Sequence, residues 1–215
     1  MSGIRKIKAF LAQWGVWILL VFHTVGLVGL LSPWQETFIA LTPFHLLLVA
    51  LVLVSGHFGD EIKLLVFFLA ASLLSFFSEV LGVKTGLIFG EYAYGPGLGV
   101  HWLDVPLTIG LNWFVLTYSA AILCWKFINH KLLVALISGL VLVFFDMLME
   151  PVAPELRYWE FFDGTAPLQN YIGWFIVAFA IVYAAGDMLK DASNHLAFPV
   201  IFIQAMFFII LNIGL

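Results

Sequence analysis

The chain is poor in charge and nearly without cysteine. Charged residues fill 10% of its 215 positions, against about 25% in an ordinary soluble domain. The single cysteine, Cys124, excludes an intramolecular disulfide framework and a multi-cysteine metal or iron–sulfur site. No Lys-Ser/Thr pair follows its glycine-rich stretch, so no phosphate-cradling loop is expected. There is no His-x-x-x-His pair, no low-complexity tract and no strong internal repeat. What fills the chain is apolar: 63% hydrophobic and 17% aromatic residues, with a mean hydropathy of +1.09. A water-soluble fold cannot hide that much apolar surface. The composition therefore excludes a soluble enzyme, a nucleic-acid binder and a disordered chain, and leaves an integral membrane protein in contact with lipid.

A helical span needs roughly 20 mostly apolar residues. Seven segments qualify, at about 10–31, 37–56, 62–82, 106–128, 131–150, 170–189 and 195–215. None has the alternating pattern of a membrane β-barrel, so an all-α polytopic bundle of about seven transmembrane helices is expected. The first span is read as a retained helix rather than a signal peptide, because it is long and lacks a small-residue cleavage site. An odd number of spans puts Arg5, Lys6, Lys8, Lys63, Lys126, Lys131 and Lys190 on one side and only Lys84 and Arg157 on the other. The positive-inside rule then predicts a cytoplasmic N-terminus, and a bacterial inner membrane is the expected setting. Nine of the thirteen acids fall on the outer side or at outer helix ends. The whole chain is read as one membrane domain with two long outer connections, 83–105 and 151–169. Connections beyond about 12–15 residues are usually functional or disordered. These are rich in aromatics, which predicts a packed cap over an outer-leaflet cavity.

Ionisable groups inside a span are expensive and by default mark a functional site. Asp146 and Glu150 stand four apart near the end of span five, hence on one helix face. Apolar surroundings, a neighbouring carboxylate and the negative end of a helix dipole each favour the neutral acid there, and a neutral carboxyl can serve as a general acid. Glu79 has a similar place in span three. The alternative is that these acids reach the headgroups and do nothing, which fits Glu150, nearest the edge, better than the other two. The segment 90–99, dense in glycine and proline, either presents Glu91, Tyr92 and Tyr94 to a cavity or forms an ordinary interfacial turn. Asn112 is a candidate for holding water or for bridging helices. His23 and His45 read first as packing residues, with His45 also a candidate to line a substrate site. Trp102, Trp113, Trp159 and Trp174 map to the outer half, where aromatic faces stabilise a cation by about 0.5–2 kcal/mol. Asp187 and Asp191 read as a solvated inner helix end.

Span seven has no lysine for a retinal Schiff base, and no paired Asp-rich motif for diphosphate is present. The run Thr85-Gly86-Leu87-Ile88-Phe89-Gly90-Glu91-Tyr92-Ala93-Tyr94-Gly95, then Val105-Pro106-Leu107 and Gly110-Leu111-Asn112-Trp113, resembles the carotenoid 1,2-hydratases of the CruF type. So do Phe145-Asp146, Met149-Glu150-Pro151-Val152-Ala153 and Trp159, a likeness covering roughly residues 75–175. The resemblance implies a hydro-lyase that adds water across the C1–C2 double bond of an acyclic carotenoid end group. It implies an acyclic carotenoid substrate, no cofactor, and a place among other membrane enzymes of carotenoid biosynthesis. The residue roles follow from the chemistry alone. An acid must protonate C2, and Asp146 is the first candidate, with Glu79 second. Glu150 and Glu91 are candidates to take the proton from water, and Asn112 to hold that water. Tyr92 and Trp113 are candidates for the cation site, with Tyr94, Trp102 and His45 as further substrate contacts. A carotenoid cyclase using the same cation, and a membrane transporter or binding protein, stay open as alternatives.

Overall fold

A computed structural model describes residues 2–215. Its seven helices are α1 (Ser2–Leu30), α2 (Gln35–Ser55), α3 (Glu61–Thr85), α4 (Thr108–Phe127), α5 (Lys131–Met149), α6 (Leu168–Ala185) and α7 (Ala197–Gly214). Each is long and apolar enough to cross a membrane. The fold is thus the all-α polytopic bundle that the hydropathy predicts. Most boundaries shift by a few residues, and two of the shifts bear on charge and capping. Helix α1 begins at Ser2 rather than near residue 10, so Arg5, Lys6 and Lys8 lie on the helix rather than before it. Helix α3 runs to Thr85, where Gly86 takes the left-handed conformation (φ 67°) and donates its N–H to the Gly82 carbonyl, a cap that costs glycine little. At its other end Asp60 accepts from the Ile62 and Lys63 N–H groups at 2.8 and 3.2 Å. Those two backbone donors hold the Asp60 carboxyl below its ordinary range.

Helix α4 is the most deeply buried of the seven. It contacts α2, α3, α5, α6 and α7, and its Trp113, Phe114, Val115, Tyr118 and Ala121 are wholly enclosed. The outward faces of the other helices carry large exposed apolar side chains, such as Trp17 on α1, Phe44 on α2 and Leu69 on α3. A surface of that kind is stable only against lipid. Four ion pairs join Lys8 to Glu61, Lys131 to Asp187, Lys84 to Asp104, and Arg157 to Glu36. Each connects residues that the charge pattern assigns to the same side.

The long connections are ordered and they meet. Strand β2 (Tyr92–Tyr94) pairs antiparallel with β5 (Trp159–Phe161), with Tyr92 opposite Phe161 and Tyr94 opposite Trp159. Between them in the chain, β3 (His101–Trp102) and β4 (Val105–Pro106) form a small hairpin. At the other end of the bundle, β1 (His57–Phe58) pairs with β6 (Ser193–Asn194). The β2–β5 ribbon is clamped by close backbone approach. The Gly95 N–H bonds the Tyr158 carbonyl at 2.9 Å, and the Gly97 N–H bonds the Arg157 carbonyl at 2.8 Å. A Cβ on Gly95 would stand 2.5 Å from the Arg157 carbonyl oxygen, and one on Gly97 would strike that of Leu156. Only glycine fits at these two positions.

Candidate active site

Four helix ends and the ribbon place the polar residues. Glu79 lies in the last turns of α3, Asp146 and Glu150 at the end of α5, Trp113 near the start of α4 and Asn170 near the start of α6. Helices alternate in direction, so all of these fall at the end of the bundle that the β2–β5 ribbon covers.

Glu79 is buried, at 2% exposure. Its carboxyl accepts the Tyr92 hydroxyl at 2.5 Å and the Trp113 Nε1–H at 3.0 Å. The Tyr94 hydroxyl is also within hydrogen-bonding reach. Burial, and next the Glu79 carboxyl, push the Tyr92 phenol well above its ordinary range; the same two causes act in the same order on Tyr94. Both phenols therefore stay protonated and act as donors. Trp113 in turn stacks on Trp174, with ring centroids 4.2 Å apart and planes at 17°.

Asp146 is wholly enclosed. Its Oδ2 accepts from Asn170 Nδ2 at 2.5 Å, and the same amide nitrogen reaches Glu150 Oε1 at 3.1 Å. Glu150 Oε1 also accepts from Trp159 Nε1 at 3.1 Å. Asp146 and Glu150 thus share the Asn170 amide, and the other oxygen of Asp146, Oδ1, is buried without a hydrogen-bond partner. Among the described residues, none of the four ion pairs brings a lysine or arginine to this cluster.

A small chamber of about 10 Å³ lies among Glu79, Glu150, Asn170, Tyr92, Tyr94 and Trp174. Beside it is an apolar cavity of about 410 Å³ between α1, α2, α4 and α7. Trp159 lines both. Phe22, Val25, Leu41 and Phe44 line the cavity and are also exposed on the outer surface of the bundle, so it opens sideways toward the lipid-facing surface. Its polar lining includes Asn112, Gln204, His23, His45, Thr42 and Tyr158. The Tyr158 hydroxyl pairs with Thr42 Oγ1 at 3.1 Å, and burial pushes that phenol up to about 12. His23 Nδ1 donates to the Leu19 carbonyl at 2.8 Å, leaving Nε2 as an acceptor for His45 Nε2–H at 3.4 Å.

The structure gathers Glu79, Tyr92 and Trp113 into one bonded group and Asp146, Glu150, Asn170 and Trp159 into a second, the two meeting with Tyr94 around the small chamber, and sets Asn112 and His45 on the adjoining cavity. Two sequence candidates stand elsewhere. Glu91 is exposed. It precedes β2 in the chain, and alternation along the strand turns Tyr92 and Tyr94 inward. Trp102 is 55% exposed and lies flat on Phe76, with centroids 5.6 Å apart. The β3–β4 hairpin holds it outside the chamber. Asn170 escaped the sequence reading. A lone amide at the start of span six reads as a solvated helix end, and only the packing of α5 on α6 turns it toward the acids.

No solved structure matches this chain. A bisanhydrobacterioruberin hydratase of Haloarcula japonica is 31% identical over 176 residues, covering 74% of this chain and 60% of that protein. The chain thus spans about 60% of the length of that curated relative. The family model described as carotenoid biosynthesis protein matches residues 37–215, a stretch that holds α2 to α7, both long connections and every residue of the acid cluster, and the chain belongs to that family.

Proposed function

We propose that this protein is a carotenoid hydratase that adds water across the C1–C2 double bond of an acyclic carotenoid end group, without a cofactor. The observation that carries the reading is the gathering of three carboxyl groups, walled by tryptophan, beside a lipid-facing apolar cavity. Support also comes from family membership and from the likeness to the bisanhydrobacterioruberin hydratase of Haloarcula japonica.

Hydration of an isolated trisubstituted alkene needs a proton donor, a wall that tolerates a tertiary cation, and water. The Asp146–Glu150 pair is the donor: Asp146 is wholly enclosed and keeps one oxygen free of any hydrogen-bond partner. Asn170 fixes both members, and Trp159 fixes Glu150 against the cavity wall. Glu79 takes a different part. Its two oxygens are met by a phenol and an indole N–H, which fix the carboxyl in place. It is the polar group that faces the developing cation, at a position set by Trp113 and Tyr92. The tryptophan faces add cation–π stabilisation of about 0.5–2 kcal/mol each. The polyene lies in the apolar cavity, and the part that exceeds its volume extends between α1 and α2 into lipid.

Co-expression with an acyclic carotenoid pathway, followed by pigment analysis, tests this. A product one water heavier, carrying a tertiary alcohol at C1, is expected. New rings without added oxygen would make the protein a cyclase, and unchanged pigments with every acyclic substrate would leave a transporter or binding protein.

A further inference from the structure

The small chamber is too small for an alkene end group, yet several polar side chains line it. On the same measure a site needs roughly 10–15 Å³ to hold one water, together with two to four polar partners. The chamber has about 10 Å³ and is faced by the carboxyls of Glu79 and Glu150, the Asn170 amide and the Tyr94 hydroxyl. A third hollow of about 480 Å³ lies on the outside of the ribbon, lined by Ala93, Tyr94, Pro154, Trp159, Glu160 and Phe161 among others. Tyr94, Trp159 and Phe161 are common to this vestibule and the chamber. Among the described residues, Trp159 alone borders all three spaces.

Building on the hydratase reading, we infer that the chamber is the binding site of the nucleophilic water, fed from the outer vestibule past Tyr94, while the alkene is presented from the apolar cavity on the other side of Trp159. The two reactants thus enter from opposite phases, water from the aqueous face and polyene from lipid. The chamber, rather than Asn112, is where water is held. The step balances. The π electrons of C1–C2 take the proton of the Asp146–Glu150 pair to form a C–H bond at C2. The water oxygen, passing the edge of Trp159, forms the C–O bond at C1. One water proton returns to the carboxyl pair, which is regenerated, and nothing is oxidised or reduced.

The test separates protonation from capture. Membranes containing the full chain are supplied with an acyclic carotenoid in D2O. Alcohol formation and deuterium uptake into recovered, unhydrated carotenoid are then measured together, the latter reporting protonation followed by proton loss. Alcohol formation by the unmodified protein reports on the hydratase reading itself. For the inference, Ala93→Trp, which fills the vestibule from an exposed position, and Tyr94→Phe, which removes one partner of the water, are compared with it. Either should lower alcohol formation about tenfold, equivalent to ~1.4 kcal/mol on the barrier, while deuterium uptake persists. The ratio of exchange to alcohol then rises. Parallel loss of both readouts in each variant that accumulates, or an unchanged ratio, would overturn the water site while leaving the hydratase reading intact.

Discussion

At the scale of single residues, the cluster separates acids that look alike in sequence. Glu79 is met by a phenol and an indole N–H. Asp146 and Glu150 share one amide instead. Asp146→Asn and Glu150→Gln should each lower hydration about 100-fold or more, the usual worth of a positioned acid, with membrane accumulation unchanged on a blot. Glu91→Gln and Trp102→Ala, by contrast, should leave pigment conversion at its original level, since both side chains stand outside the chamber. Asn170→Leu removes the donor common to both carboxyls. Leaving a buried acceptor without its partner costs about 1–3 kcal/mol, so the variant should melt earlier in detergent and lose activity as well. The candidate acids were legible because a charge inside an apolar run is expensive wherever it occurs. Asn170 was not, because an amide at a helix start carries no such signal until its neighbour is known.

At the scale of elements, the β2–β5 ribbon does what no helix does. It brings two connections far apart in the chain over the same helix ends, and alternation along each strand sends Tyr92, Tyr94, Trp159 and Phe161 to one face. The sequence predicts a packed cap from aromatic density in both connections. It contains no signal for the pairing register, which depends on Gly95 and Gly97 lying against residues 156–158. Gly97→Ala forces a methyl group against the Leu156 carbonyl. Overpacking of this kind costs typically about 1–3 kcal/mol. A lowered melting temperature, with a larger fractional loss of hydration than of helix content by circular dichroism, is the expected outcome.

At the scale of the whole molecule, the bundle presents apolar side chains outward and keeps its three inward-facing carboxyls at the end the ribbon covers. From the positive-inside rule we propose that this end lies on the non-cytoplasmic face. The ribbon side and the β1–β6 side can be told apart by labelling. In a Cys124→Ser background, a membrane-impermeant thiol reagent applied to intact cells should modify Ala93→Cys at once. Ser193→Cys, at the opposite end, should be modified only after the membrane is opened. The reverse pattern would invert the topology and put the water vestibule in the cytoplasm.

Span number, the all-helical class and the depth of the acids follow from hydropathy and from the cost of burying charge, which are local properties of each segment and need no partner. Which acids share an amide donor, which tryptophan borders both the chamber and the apolar cavity, and which candidates stand outside the cluster depend on neighbours distant in the chain. Asp146 and Asn170 are 24 residues apart, and Glu79 and Trp113 are 34 apart. A hydrogen bond is decided within a few tenths of an ångström, and that precision exists only once the helices have packed.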